Sequence, residues 1–433
     1  MRYSLSYISV LLVLASSALI AQVPVPVKPQ SKPIALTGAT AHLGNGKVIS
    51  NAVVGFDKGK LTILAEASAN PNLAGYEQIN VNGKHVYPGF ILPDSPLGLV
   101  EVSSVRAMND VSERGELNPN VRAQVAYNTD SEMITTMRLS GILLAQATPV
   151  GGRISGTSSF MELEGWDWED ATHTADIAVH LSWPSMMNQQ FDFATFSSID
   201  VPNKEYDKEV GALHQFFTDA VAYGKLGTKD TNLKLEAMQG LFDGKKALMI
   251  YTGKPKEIIS SINFARKFGV KRIVLVGGGG ALYVAEFLKE NSVPVILQQT
   301  HSLPERTDDD IDMPYKLPHL LAQAGLTVSL SHEGMPARAR NLAYYAGTAA
   351  AYGMEKEEAL KMICSNTAKA LGVDSRVGTL EVGKDATLFV SEGDVMDMKT
   401  CIVTHAFVSG KLVNLPTKQE ELYERYSKKY GHK

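Results

Sequence analysis

Asp110 and Glu113 form a closely spaced pair of carboxyl groups within a polar stretch, residues 101–130. Two carboxyl groups can act as general acid and general base when burial separates their pKa values. Arg122 lies in the same stretch. We predict a lid in which Asp110 and Glu113 are candidate catalytic residues and Arg122 binds substrate. Because loops are generally polar, a solvated surface loop is the alternative interpretation.

Further candidate substrate-binding residues follow predicted strands. His301 follows one such strand, and Arg340 and Asn341 follow another. An arginine at such a position could bind a substrate carboxylate through a bidentate pair of hydrogen bonds, or could neutralise a carboxylate of the protein itself. Ser155 lies in a glycine-rich turn, residues 151–156, whose backbone amides could bind an anion or a carbonyl oxygen. The turn lacks the GxSxG elbow, which argues against a serine hydrolase.

The elements that position these residues alternate between apolar strands and helices. Eight such strands predict a (β/α)8 TIM barrel, with a doubly wound open sheet as the alternative. The predicted strands are 86–92, 141–148, 157–164, 176–183, 247–252, 272–276, 293–298 and 327–331. The predicted helices are 130–139, 208–223, 232–242, 254–268, 281–291 and 317–324.

Short alternating strands flank this region on both sides. Residues 34–86 and 375–415 are each too short for a core of their own, so we predict that they pair into one composite β-sandwich domain. Residues 87–374 then form the barrel domain. Residues 416–433 are charged and predict a C-terminal helix.

The N-terminus predicts export. Arg2 precedes an apolar run, residues 8–21, which is too short to span a bilayer comfortably. We interpret residues 1–21 as a signal peptide cleaved near Ala21, with residues 22–33 as a linker and a membrane anchor as the alternative. This predicts a periplasmic or extracellular protein with no membrane span in the mature chain. The formal net charge of -4 indicates neither nucleic-acid nor membrane-surface binding.

Several motifs resemble those of the amidohydrolase superfamily, in its imidazolonepropionase-like group. Residues 87–98 read YPGFILPDSPLG and are similar to the family's first barrel strand, PGFIDxHxH. Residues 377–388 read VGTLEVGKDATL and are similar to its GSLEPGKDADLV signature. Residues 359–372 resemble the family's ITxNPAKxLG helix. The resemblance covers almost all of the mature chain and implies a metal-dependent-hydrolase-type barrel with a composite β-sandwich.

The resemblance also implies a zinc or iron centre at the C-terminal ends of the barrel strands. Asp94 and Pro96 stand where the first strand supplies two histidine ligands, and Tyr251 stands where the fifth supplies one. His332 and Glu333 stand where the eighth supplies the aspartate that binds metal and accepts a proton. The sixth-strand position falls at residues 276–277, Val-Gly, which have no ligand atom in their side chains.

These positions predict a reduced or absent metal centre, since a catalytic zinc needs three protein ligands and an open position. Asp94, His332 and Glu333 remain candidate catalytic residues, with Asp94 and His332 as a possible metal remnant. Tyr251 is a candidate substrate-binding residue. A functioning centre built from Asp94, His332 and His301 is the alternative.

The resemblance implies hydrolysis of C–N bonds in small, cyclic amide-like molecules. With the ligands largely lost, we predict reduced, altered or absent activity on a small polar ligand. A non-catalytic partner of an amidohydrolase paralogue, or a homo-oligomer, is the alternative.

Overall fold

The computed structural model describes residues 26–192, 196–226, 230–298, 300–304, 308–332, 334–415 and 417–432. The predicted signal peptide, residues 1–21, and Glu333 lie outside this range. The strands are β1 (Ile34–His42), β2 (Val48–Asp57), β3 (Lys60–Glu66), β4 (Glu77–Asn80), β5 (His85–Pro88), β6 (Phe90–Ser95), β7 (Ile142–Ala147), β8 (Ile154–Glu162), β9 (Thr172–Ser182), β10 (Met187–Asp192), β11 (Ser197–Pro202), β12 (Ala247–Thr252), β13 (Arg272–Gly277), β14 (Val295–Leu297), β15 (Val328–Leu330), β16 (Leu388–Ser391), β17 (Val403–Val408) and β18 (Lys411–Leu412).

Helices occupy most of the longer connections between these strands. They are α1 (Glu132–Arg138), α2 (Tyr206–Gly224), α3 (Leu233–Ala237), α4 (Gln239–Asp243), α5 (Pro255–Lys267), α6 (Ala285–Glu290), α7 (Met313–Gln323), α8 (Leu342–Ala351), α9 (Lys356–Lys361), α10 (Ser365–Leu371) and α11 (Lys418–Tyr430). Short 3-10 turns add Ala67–Ala69, Arg106–Met108, Ala123–Ala126, Ala281–Val284 and Pro336–Asn341. No helix within the described ranges is long and apolar enough to cross a bilayer.

Eight strands form the barrel sheet in the order β15-β14-β13-β12-β9-β8-β7-β6. This confirms the predicted barrel strands, but with one difference of direction. β8 runs antiparallel to both β7 and β9, and the other neighbours are parallel. A hydrophobic pattern indicates burial but does not indicate strand direction, because a strand buried on both faces has the same apolar sequence whether it is parallel or antiparallel to its neighbours.

The ends of the barrel sheet approach each other, which argues against an open doubly wound sheet. Ser331 Oγ, just after β15, donates to the Pro93 carbonyl in β6 at 2.5 Å. The segment between α9 and α10 fills the remaining gap. The carbonyl of Met362 accepts from Leu330 N at 3.2 Å, and that of Ile363 accepts from Ile91 N at 3.0 Å. The helix predicted over residues 359–372 is therefore interrupted at the point where its backbone carbonyls accept hydrogen bonds from the barrel strands.

The two flanks pair into a single eight-stranded sheet, with the order β18-β17-β16-β5-β1-β2-β3 and β4 added beside β1. β5 pairs antiparallel with β16, so the N-terminal and C-terminal flanks meet there. The apolar run at residues 86–92, predicted as one strand, contains the end of β5 and the start of β6. Gly89 lies between them, and the position suits glycine because a Cβ there would lie 2.8 Å from Thr387 Cγ2.

A buried cluster around Asp385, from the VGTLEVGKDATL motif, joins this sheet to the barrel. Its carboxylate contacts Lys60 Nζ at 2.5 Å, Arg376 Nη2 at 2.9 Å and His173 Nε2 at 3.0 Å. Lys60 lies on β3 and His173 on β9 of the barrel. Burial raises the pKa of Asp385, but the hydrogen bonds from His173 and Lys60 and the charge of Arg376 outweigh it and lower the pKa to about 2. The motif therefore holds two sheets together.

Candidate functional site

A cavity of about 810 Å³ lies at the C-terminal ends of the barrel strands, where barrel enzymes place their sites. Asp94 from β6, Ser182 from β9, Tyr251 from β12, and Gln298 and His332, which follow β14 and β15, reach it from five strands. The remaining wall is mostly apolar and comes from the loops, from α1 and from the 3-10 turn that begins at Pro336. It includes Pro96, Val100, Val102, Val111, Met133, Pro149, Val150, Met335 and Pro336.

Asp94 lies at the floor of this cavity and is only 7% exposed. Its φ is 49°, in the left-handed region that side chains other than glycine seldom adopt. The backbone N–H of Asp94 donates to Gln146 Oε1 at 3.0 Å, which helps to hold this conformation. Backbone strain of this kind persists only where surrounding contacts fix it, and it is frequent at functional sites.

A closed ring of hydrogen bonds supports the Asp94 carboxylate. Tyr251 OH donates to Asp94 Oδ1, and His180 Nδ1 lies 2.7 Å from the Tyr251 oxygen. His180 Nε2 lies 2.6 Å from Ser158 Oγ, which accepts from Gln146 Nε2 at 2.8 Å. Gln146 Oε1 closes the ring by accepting a hydrogen bond from the Asp94 backbone N–H. We call these five residues the Asp94 ring.

The donors in the Asp94 ring are neutral groups. Burial lowers the pKa of His180 to about 3, so its imidazole is neutral near pH 7. Burial raises the pKa of Tyr251 well above its usual value, and the Asp94 charge adds to that effect, so Tyr251 remains a phenol. Since the phenol proton goes to Asp94, His180 must donate from Nδ1 and accept from Ser158 at Nε2. Gln298 Nε2 donates to the other carboxylate oxygen at 2.8 Å.

These residues do not fit the family's metal centre. Both carboxylate oxygens of Asp94 accept hydrogen bonds, and both ring nitrogens of His180 have partners. Tyr251 binds a metal only as a phenolate, which its raised pKa opposes. No group of three or more His, Cys, Asp or Glu among the described residues is arranged to hold a metal ion. The donor set falls short of a catalytic zinc.

His332 also lines the cavity, and Tyr345 links it to His301. Tyr345 OH lies 2.9 Å from His332 Nδ1, and its ring packs edge-on against His301 at 4.7 Å between centroids. Burial lowers the pKa of His332, and the charge of Arg338 adds to this, while the backbone of Met335 opposes it. His301 itself bonds Thr348 Oγ1 at 2.7 Å and is not part of the cavity wall.

The loop predicted as a lid contributes to the cavity wall, but through residues other than the two carboxyl groups singled out from sequence. Asp110 and Glu113 are exposed, and neither lines the cavity wall, which takes Glu101, Ser103, Asn109 and Val111 from this loop. Arg122 Nε pairs with Asp176 Oδ1 at 2.9 Å. Asp176 lies six residues before the strand end that reaches the cavity at Ser182.

Other predicted residues divide between the cavity and its surroundings. Ser155 lines the cavity, although its hydroxyl is engaged with the Pro149 carbonyl at 3.0 Å. Arg340 is exposed and donates to the Ala337 carbonyl at 3.5 Å. Asn341 contacts Tyr345 and lies outside the cavity wall. The roles assigned to these residues from sequence remain predictions.

Sequence reasoning missed most of the Asp94 ring and its surroundings. Gln146, Ser158 and His180 are fully buried polar residues within otherwise apolar strands, and this contrast was the available signal. Gln298 ends an apolar run in the same way. Glu101 also lines the cavity, and its Oε1 is buried without a hydrogen-bond partner in the described part of the chain.

Comparison with known proteins agrees with this architecture. Residues 314–413 match the sequence model of the Amidohydrolase family. An amidohydrolase from Thermotoga maritima MSB8 is similar in structure, with a TM-score of 0.76 at 22% identity over 88% of this chain and 99% of that chain. Molinate hydrolase has a TM-score of 0.54 at 14% identity over 89% and 95% of the two chains. A Xaa-Pro dipeptidase has a TM-score of 0.51 at 13% identity over 88% and 100%.

A search of curated proteins gives no match. The predicted resemblance to amidohydrolases is confirmed by the family match and by the shared fold. The matched residues include His332 but none of the Asp94 ring.

Proposed function

We propose that this protein uses a hydrolase scaffold to bind a small amphipathic nitrogen compound, an amine or amide, in the cavity at the barrel mouth. The observation that carries the proposal is the state of Asp94, a buried carboxylate supported by neutral donors at the floor of an 810 Å³ cavity. A carboxylate at the floor of a cavity can accept further hydrogen bonds from a bound molecule. A ligand N–H or ammonium group is the donor that suits it.

The charges of the cavity wall support the same ligand class. Asp94 and Glu101 contribute carboxyl groups and His332 an imidazole, whereas no Lys or Arg belongs to the described wall. The apolar side chains around them suit a hydrocarbon portion of the ligand. Cavities of this size typically bury most of a small molecule and orient it through a few polar groups.

Metal-independent hydrolysis of a C–N bond is a second candidate, favoured by the link from Asp94 to Tyr251 and His180. Asp94 would accept a proton from the water that attacks the carbonyl carbon and return it to the leaving nitrogen as the C–N bond breaks, and Tyr251 would remain its hydrogen-bond donor. General-base catalysis of this kind contributes only ~10²–10⁴-fold. We therefore expect weak turnover of small cyclic amides, well below that of a metal-assisted enzyme.

A calorimetric titration with a panel of small amines, guanidines and lactams tests the binding proposal. We expect at least one compound to bind in the presence of EDTA, and Asp94→Asn to weaken its binding at least tenfold. Asp207→Asn on α2 removes an exposed carboxylate and serves as the matched control. Equal binding by Asp94→Asn, or binding only after zinc is added, would contradict the proposal.

A protein–protein role is the alternative that the loop surface favours. Val102, Val105, Met108 and Val150, in loops at the cavity, and Met335 beside it are all more than 40% exposed. This apolar rim suits contact with an amidohydrolase paralogue or with a second copy of the chain. Light scattering of the purified protein distinguishes a homo-oligomer from a monomer, and a monomer that binds the panel favours the small-molecule function.

We also propose export, on the basis of the apolar run at residues 8–21. Mass spectrometry of the N-terminal peptide from the exported fraction should identify a mature chain that begins near Gln22. Recovery of the intact N-terminus from the cytoplasmic fraction would contradict this expectation.

A further inference from the structure

A second cavity, of about 420 Å³, lies at the opposite end of the barrel from Asp94. It forms around the N-terminal ends of β13, β14 and β15, and we call it the basal pocket. Its wall contains five basic residues and no Asp or Glu among the described residues. The basic residues are Arg266, Lys271, Arg272, Lys289 and Lys369.

The two arginines have structural partners. Arg266 donates to the backbone carbonyls of Val270, Lys271 and Asn291 at 2.7–3.2 Å, and so ties the turn after α5 to the end of α6. Arg272 Nη2 donates to the Ala370 carbonyl at 3.4 Å, near the end of α10. Its guanidinium lies so close to Gly372 that a Cβ there would come within 2.2 Å of Nη2. These contacts with backbone carbonyls explain the positions of the arginines but leave their charges in the pocket.

The three lysines have no structural partner of this kind among the described residues. In the described part of the chain, the ammonium groups of Lys271, Lys289 and Lys369 make no ion pair and no hydrogen bond. Lysines beside helix ends can be explained by the partial negative charge of the helix C-terminus. The positive charge of the side chains must therefore be compared with the negative charge of the helix ends around the pocket.

Helix ends compensate only part of the positive charge. α5, α6, α7 and α10 all end at the pocket, and each end carries at most roughly half a negative charge. Asp374 is exposed beside the pocket and contributes one further negative charge near Arg272. Against five cationic side chains, this leaves a net charge of roughly +2 in a concave site, where the field of like charges is focused.

We propose that the basal pocket binds a small phosphorylated anion carrying two to three negative charges. A guanidinium and several ammonium groups are the side chains that proteins use for phosphate, and the hydroxyl-bearing Ser292 and Thr327 also line the wall. The site is separate from the Asp94 ring and shares no lining residue with the mouth cavity. It stands independently of the function proposed for that cavity.

Calorimetric titration of the full mature chain with inorganic pyrophosphate, in metal-free buffer at low salt, tests this proposal. We expect one site per chain, with affinity that falls as sodium chloride is added. The double variant Lys271→Gln and Lys369→Gln should bind pyrophosphate about tenfold or more weakly. The control variant Lys256→Gln and Lys399→Gln removes the same charge from exposed positions outside the pocket and should bind as the wild type does.

Further arms define the ligand and the site. Citrate carries comparable charge on carboxylates, so weaker binding of citrate than of pyrophosphate is expected for a phosphate site. Asp94→Asn should bind pyrophosphate as the wild type does. This variant therefore tests the basal pocket independently of the function proposed for the cavity that contains Asp94. The proposal is overturned if the wild type does not bind pyrophosphate, if both double variants lose affinity equally, or if citrate binds as well as pyrophosphate.

Discussion

Two buried carboxylates, Asp94 and Asp385, are similarly hidden from solvent but differ in the partners that the described residues give them. They are 7% and 5% exposed. Asp385 contacts the charged groups of Lys60 and Arg376 and the imidazole of His173. Asp94 receives hydrogen bonds from the neutral side chains of Tyr251 and Gln298.

The difference distinguishes a carboxylate that joins two sheets from the carboxylate on which the proposed function rests. The charge of Asp385 is neutralised inside the protein, and its partners come from both sheets, so its role is complete within the fold. Neutral donors stabilise a carboxylate without cancelling its charge. Asp94 lines the cavity at the position where the resemblance implies a metal ligand.

The largest expected effect is the loss of stability in Asp385→Asn. Removing one member of a buried ion cluster costs roughly 3–5 kcal/mol. We expect about 3 kcal/mol, the lower end, because Lys60 and Arg376 are each 47% exposed and can be hydrated again. Urea denaturation followed by tryptophan fluorescence measures the free energy of unfolding.

Asp243→Asn is the matched control, since Asp243 forms an exposed pair with Lys245 at 3.1 Å. Exposed pairs contribute at most about 1 kcal/mol. Equal losses in the two variants would show that the Asp385 cluster does not hold the sheets together.

A smaller effect is expected when the Asp94 ring is opened. Tyr251→Phe removes one donor to Asp94 and leaves the buried Nδ1–H of His180 without its acceptor, at about 1–3 kcal/mol. Tyr127→Phe is the control, because the buried Tyr127 hydroxyl has no hydrogen-bond partner within the described residues. It should be neutral or slightly stabilising. If the two variants unfold at the same urea concentration, the ring contributes nothing to stability.

The pH dependence of stability should distinguish the two sites. Burial lowers the pKa of His180 to about 3, below the ordinary value of 6.5, so the unfolded chain binds a proton there that the native chain does not. This residue therefore destabilises the native state as pH falls from about 6.5 toward 3, by up to ~1.4 kcal/mol per pH unit. Comparison of wild type with His180→Gln between pH 7 and pH 4 should show a shallower dependence in the variant.

Asp385 titrates in a lower window. Its native pKa of about 2 lies below the ordinary 3.8, so its stabilising contribution is present above about pH 4 and is lost as pH falls toward 2. His180→Gln should leave this acid transition in place. A variant that changed both windows alike would show that the two sites are coupled.

Much of the fold was predictable because hydrophobic alternation is a local property of the sequence. The pairing of both flanks and the eight barrel strands followed from it. The reversed direction of β8 did not, and neither did the hairpin of β10 and β11. The break at Gly89 was hidden because the apolar run continues through it, although the chain changes sheets there.

The site was predictable only where a motif fixed it. The resemblance located Asp94, Tyr251 and His332, which do line one cavity. The Asp94 ring was not visible, because it depends on the register between strands that are distant in sequence. In that register β9 and β12 place Ser182 beside Tyr251, and His180 two residues deeper in the barrel. The loop predicted as a lid supplies part of the cavity wall, but polarity alone does not identify which of its residues face the cavity.

The metal content of the purified wild-type protein and of Asp94→Ala tests the central claim most directly. Neutral donors in place of metal ligands predict far less than one equivalent of zinc or iron, and the same unfolding curve before and after dialysis against a chelator. Stoichiometric zinc or iron in the wild type that is lost in Asp94→Ala, or a chelator-induced loss of stability, would contradict the account.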